Sequence, residues 1–467
     1  MTREGALKRA RDHFDGGVFL DDLARRVAIP SESQNPKRGA ELERYLRDEI
    51  GPGVGRLGGR WEIHANPAGA GPLLVGSRAE DPALPTVLIY GHGDVIRGLE
   101  DQWREGLGPW RLTREGDRLY GRGTADNKGQ HGVVLAALEA VIAERHRLGF
   151  NLKVLIETGE EVGSPGLREF AREHRELLAA DVLIASDGPR LAPDRPTLYL
   201  GARGAINFEL VAEFRDGGHH SGNWGGLLAN PAVVLAHALA SLTGPSGEIR
   251  VEGWRPPPIP ESVRAALAKV EIEPIAGGPA LDPDWGEPGL SPAERVYAWN
   301  SFEILAFTAG TPERPVNAIP AAAKAWCQLR HVVDTDPEQV LPALRAHLDR
   351  HGFGAVRIEQ AQAQNFPATR MLPDHPLVQW AAESMARTLG RRPAILPNLG
   401  GSLPNDVFAD ILGMPTLWVP HSYAACGQHA PDEHALASIL REGLQLMTGL
   451  FWDLGERSAP LREGAAS

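Results

Sequence analysis

Residues 152–166, LKVLIETGEEVGSPG, open as a strand and close on two glutamates set among glycines. The run at 152–156 is short, apolar and partly β-branched, the pattern of a buried strand. Glu160 and Glu161 therefore fall side by side at the strand's end. Neighbouring strand residues face opposite ways, so both carboxylates reach one site only if Gly159 and Gly163 turn the chain. Two buried carboxylates are costly unless something positive holds them. The stretch thus predicts a cationic centre at a strand terminus.

Reading outward, 85–90 and 181–185 are further apolar strands and 130–144 is an amphipathic helix. This alternation predicts an α/β domain with a largely parallel sheet, whose functional groups gather beyond the carboxyl ends of its strands. After Gly204 the texture changes. Residues 206–214 and 323–330 alternate as half-exposed strands, 231–242 and 337–350 read as helices, and 355–359 as a strand. The Pro/Gly-rich stretch 253–292 between them reads as a long surface excursion. Helix and strand alternate again from Pro376, with an apolar strand at 415–419. The expected organisation is one α/β domain over 1–202 and 367–467, with an α+β domain inserted at 203–366.

The chain has 467 residues, 42% of them hydrophobic, enough for two or three domains. A formal net charge of −12 argues against a nucleic-acid partner, which needs a basic surface. The first residues, MTREGALKRARDHF, are charged, and nowhere do 18 apolar residues run together, so neither export nor a membrane span is expected and the location reads as cytoplasmic. Cys327 and Cys426 are too few for a disulfide framework or a cysteine-rich zinc site. Any metal must sit on histidines and carboxylates.

Such residues recur after the strands. GHGDV, 91–95, offers His92 between two glycines that would leave its ring accessible, with Asp94 placed to fix the imidazole tautomer. Asp126 in YGRGTADNKGQ precedes a helix, where by itself it would read as an N-cap. Asp187 in ASDG follows another strand, and His429 in GQHAPDEH follows the last strand, before a helix starting near Glu433. Two zinc ions about 3.5–4 Å apart need a bridging carboxylate and terminal ligands. Five ligands and one spare carboxylate fit that count, and the spare one of the glutamate pair is free to take a proton from water.

Together GHGDV, YGRGTADNKG, ETGEEVGS, ASDG, HHSGNWGG, NAIP, GGSLP and GQHAPDE, in this order over nearly the whole chain, resemble the di-zinc exopeptidases and deacylases that include acetylornithine deacetylase, succinyl-diaminopimelate desuccinylase, carboxypeptidase G and the carnosinase-like dipeptidases. The resemblance implies a zinc-exopeptidase-like catalytic domain with an inserted lid that dimerises. It places His92 and Asp187 on one zinc, Glu161 and His429 on the other and Asp126 between them, with cobalt or manganese as alternative metals. Asp94 would orient His92, Glu160 would be general base and acid, and the Asp126–Asn127 peptide would be cis. Asp187 is an aspartate as in peptidase-like members, where deacylases often carry glutamate. Ser402 in GGSLP and Arg330 in CQLRHV match residues that meet the substrate's carboxylate, as a planar guanidinium does in two-pronged fashion. Asn317 in NAIP stands where dipeptidase relatives often have threonine. His220, rather than His219, matches a histidine that crosses to the neighbouring subunit of a homodimer and stabilises the oxyanion. His131, His421 and His434 match no ligand position. The function implied is hydrolysis of dipeptides or short peptide-like amides with a free carboxylate; the alternative is an N-acyl- or N-carbamoyl-amino-acid deacylase with the same site.

Overall fold

The computed structural model describes residues 1–272, 274, 279–361 and 365–456; the expectations for 253–292, 203–366 and 367–467 extend in part beyond these residues. An eight-stranded mixed sheet forms the larger layer. Its spatial order is Arg60–His64, Leu73–Arg78, Asn151–Glu157, Thr86–His92, Val182–Ala185, Thr416–Trp418, Thr197–Tyr199 and Ala394–Leu396. The four central strands run parallel, while antiparallel pairings flank them. Parallel strands buried on both faces read as continuous apolar runs, which is why these four were visible in the sequence.

Helices cover both faces. Arg3–Asp15, Lys128–Arg145 and Ala437–Glu456 bury Phe14, Val133, Val141, Leu444 and Met447 in one core, and Leu167, Phe170 and Phe408 belong to a second. Lys128–Arg145 is buried almost all round in its first half, consistent with a helix that starts beneath the site and ends toward solvent.

A second sheet is antiparallel, ordered Ser301–Ala309, Ala322–His331, Gly204–Glu213 and Arg357–Gln360. Ala322–His331 alternates strictly between buried and half-buried residues. Its inner side packs on the helices Pro231–Leu242 and Pro337–Arg350 through Leu235, Leu239, Val340, Leu344 and Leu348. This is the smaller α+β lid.

Two expectations need correction. The stretch 253–292 is not simply a surface excursion: it holds the helix Glu261–Leu267, and Ile259, Val263, Leu267 and Val270 join the second core. Their spacing is helical, but prolines before the helix and glycines after it dominate the composition. No helix begins near Glu433 either. His434–Leu436 pairs antiparallel with Arg118–Tyr120, and the helix starts at Ala437. Among the described residues no helix is long and apolar enough to cross a membrane.

Candidate active site and metal centre

Because the central strands are parallel, their carboxyl ends lie on one edge, and the acidic motifs meet there. His92 is the last residue of its strand and fully buried. The glycines around it do not expose the ring. A Cβ at Gly91 would lie 2.7 Å from the His131 Cβ, and one at Gly93 would strike the Tyr45 ring, so both glycines admit close packing instead. His92 Nε2 lies 3.0 Å from Asp126 Oδ1 and 3.5 Å from Asp187 Oδ2. Its Nδ1 lies 3.1 Å from the Asp94 carbonyl oxygen and 3.4 Å from Asp94 Oδ1.

The Asp94 carboxylate has a second task. It accepts the N–H groups of Glu160 at 3.2 Å and Glu161 at 3.1 Å, fixing the single 3₁₀ turn Glu160–Val162 that Gly163 closes at φ +91°. The turn brings both glutamates to one side, as the glycine spacing requires. Glu160 Oε2 comes to 4.0 Å from His92 Nε2, and Glu161 Oε2 to 2.9 Å from His429 Nε2.

Asp126 does not cap the helix; Asn127 occupies that position. Its carboxylate instead faces two ways, Oδ1 toward His92 and Oδ2 toward His429 at 3.1 Å, and the Asp126–Asn127 peptide is cis. Two residues escaped sequence reasoning here. Gln428 donates its amide to Asp126 Oδ2, and buried Glu433 accepts from Arg122 Nη1 at 2.7 Å and from the backbone N–H groups of Gly123, Ala125 and Asp126. Their only signal was position beside His429.

Two donor triplets result, His92–Asp126–Asp187 and Asp126–Glu161–His429, each with its donor atoms within 4.8 Å of one another and Asp126 common to both. Burial, then repulsion from neighbouring acids, pushes Glu160 well above the carboxylate range and Glu161 up to about 8. Burial also raises Asp187. Hydrogen bonds to Asp126 and Glu161 lift His429 to about 10. Four crowded carboxylates facing two imidazoles form a donor set of the kind that divalent cations neutralise, and the mixture of nitrogen and carboxylate oxygen fits zinc.

The cluster floors a cleft of about 410 Å³ whose wall includes Tyr199, Tyr297, Arg330, Leu399 and Ser402. Arg330 Nη1 donates to Ser402 Oγ at 2.9 Å, so the two residues read as carboxylate contacts stand together. His220 and Asn317 do not line this cleft. They lie beside each other on the lid, where Ser221 N–H donates to the Asn317 carbonyl at 2.9 Å, and both are exposed or nearly so. His131 and His434 bond Tyr45 and Tyr423, while His421 is buried against Gly443.

A family model described as Peptidase family M20/M25/M40 matches residues 88–453. Beta-Ala-His dipeptidase of Rattus norvegicus is 33% identical, covering 97% of this chain and 96% of the relative. The Homo sapiens protein of that name is 34% identical over 82% of this chain and 78% of its own. Cys-Gly metallodipeptidase DUG1 of Candida albicans is 32% identical over 50% and 51%. Among solved structures, the dipeptidase Dug1p of Saccharomyces cerevisiae superposes with a TM-score of 0.78 at 22% identity over 98% of this chain and all of that one. Human carnosine dipeptidase 1 gives 0.75 at 23% over 98% and 99%. With residues 88–453 matched by the family model, 97% of its length aligned to one such relative and its strand-end residues forming a cluster that could hold metal, the chain belongs to peptidase family M20/M25/M40 and is a metal-dependent hydrolase.

Proposed function

We propose that the chain hydrolyses the amide bond of dipeptides ending in a free carboxylate, with two zinc ions per subunit. The observation that carries this is Asp126, one carboxylate oxygen toward each histidine, at the floor of the cleft that Arg330 and Ser402 enter. His92 and Asp187 would hold one ion, Glu161 and His429 the other, and Asp126 both. When bound, such ions polarise a carbonyl and acidify water. The chain's own residues do the rest. Asp94 keeps His92 in one orientation and the glutamate turn in place. Glu160, beside the ligands but outside both triplets, takes the proton of the attacking water and returns it to the leaving amine. Arg330 and Ser402 fix the substrate's carboxylate.

The relatives named are dipeptidases, so the deacylase alternative is not favoured. The chain would divide at 1–202, 203–366 and 367–467, and act as a homodimer through the lid. Exposed Ile304, Leu305 and Phe307 on the lid's edge strand support that assembly, as does the placement of His220 and Asn317 away from their own cleft. Buried, unpaired Cys327 and Cys426 support a reducing, cytoplasmic location. Amine release from zinc-loaded enzyme, offered dipeptides and N-acetyl and N-carbamoyl amino acids, tests the reading. Dipeptide cleavage is expected; cleavage of the acylated amino acids alone would overturn it.

A further inference from the structure

The loop carrying Ser402 is fastened to the segment by which the chain leaves the catalytic sheet. Leu399 N–H donates to the Gly201 carbonyl at 2.8 Å, and Arg203 N–H donates to the Leu399 carbonyl at 3.1 Å. The Arg203 side chain continues the pattern, its Nε–H donating to the Gly400 carbonyl at 2.9 Å. The Arg203 carbonyl accepts the Ser402 hydroxyl at 2.9 Å. With its proton committed there, Ser402 Oγ presents lone pairs to Arg330 Nη1 at 2.9 Å. Arg203 thus grips the loop at three points, by its main chain at Leu399 and Ser402 and by its side chain at Gly400, and through Ser402 aims the guanidinium of Arg330.

Charge adds to geometry. Arg203 is only 9% exposed. Burial, with the like charge of Arg330 beside it, pushes its guanidinium down to about 10. Glu303 is the acidic side chain whose field reaches both arginines, and burial raises its own carboxyl. Arg330 lines the cleft and buried Arg203 stands behind it, so an anion placed against Arg330 stabilises two neighbouring, partly desolvated guanidiniums.

We propose that Arg203 is the positioning residue of the substrate-carboxylate subsite, holding Ser402 and Arg330 in register so that the subsite takes a full carboxylate and refuses the neutral amide. The inference rests on the carboxylate-ended substrate of the proposed function. Nothing requires Arg203 to touch the substrate; it acts through its two neighbours.

The test is steady-state kinetics of zinc-loaded Arg203→Gln enzyme on a dipeptide and on the same dipeptide's C-terminal amide, with metal content measured alongside. The dipeptide's KM should rise about tenfold, the scale of one charge-assisted hydrogen bond, with kcat and the amide's KM nearly unchanged. Arg203→Lys, which keeps the charge but not the Nε–H geometry, should show a smaller rise of the same selectivity, and it serves if Arg203→Gln does not fold. Adding Arg330→Lys to either variant should cost little beyond Arg330→Lys alone, because the two residues act as one unit. Equal losses on acid and amide, or full additivity with Arg330→Lys, overturn the positioning role. If Arg330→Lys by itself abolishes the preference for acid while the Arg203 variants keep it, Arg203 is only structural and the substrate reading stands. If Arg330→Lys keeps the preference too, the substrate reading fails first.

Discussion

The central strands of the large sheet and the edge strand of the lid are finished to different degrees. Thr86–His92 and Val182–Ala185 are buried on both faces, and their ends place His92 and Asp187 without help from outside the chain. Ser301–Ala309 keeps Ile304, Leu305 and Phe307 in the open, with Leu305 60% exposed. Contiguous exposed apolar side chains mark a surface that another surface covers. The contrast teaches that the candidate metal-binding cluster assembles within one chain, whereas the role proposed for His220 would need a second copy.

The hardest blow to the floor is Glu160→Ala. Its kcat should fall by at least about 10²–10⁴-fold, the usual share of a general acid–base, while both metals stay bound. Near-normal turnover in a metal-loaded variant, by elemental analysis and kinetics, would take Glu160 out of the reaction.

His220→Ala probes the other side of the comparison. Losing one oxyanion donor costs about 10²–10³ in kcat. Mixing it with Glu160→Ala protein under subunit exchange should restore close to half the wild-type rate per heterodimer, since one site then holds both groups. Exchange without recovery would show that each chain completes its own site, and the contrast would collapse. Leu305→Glu on the open strand sharpens the point, and sedimentation should show a monomer with the activity of His220→Ala.

Arg330→Lys should act on binding alone. Lysine keeps the charge and loses the two-pronged geometry, raising KM for carboxylate substrates about tenfold with little change for amides.

The smallest effect concerns stability. Without metal, burial and Asp126 raise Glu161 to about 8, far above its unfolded value. The folded state then binds a proton the unfolded state has released, and this contribution is lost as pH rises from about 4.3 toward 8. His429, held near 10 by Asp126 and Glu161, adds the same sign above about pH 6.5. The melting temperature of chelator-stripped protein should therefore fall further below that of zinc-loaded protein at about pH 8.5 than at about pH 5.5. A gap independent of pH would mean that these groups do not hold the metal.

Legibility in the sequence followed burial. The runs ending at His92, Glu157 and Ala185 were plain because strands buried on both faces admit little but apolar residues, and the ligands after them follow turns rich in glycine. Arg60–His64 was missed because it is an edge strand, largely exposed and mixed in charge. Ser301–Ala309 was missed for a related reason, its apolar residues lying adjacent rather than alternate. Gln428 and Glu433 were invisible because their partners, Asp126 and the amides before it, are some three hundred residues away. Nothing around Arg203 in the sequence marks it, because its partners lie about two hundred residues away at 399–402.

The strands that lead into and out of the lid run side by side: Gly201 and Ala202 pair with Arg370 and Thr369, and Ala205 bridges Phe366. Departure and return are thus about 4.8 Å apart, one strand spacing. A short loop could close that gap, so the intervening stretch resembles a cassette plugged into a continuous catalytic chain. Replacing or shortening the cassette would then leave the strand ends that carry the candidate metal-binding cluster joined to one another as they are.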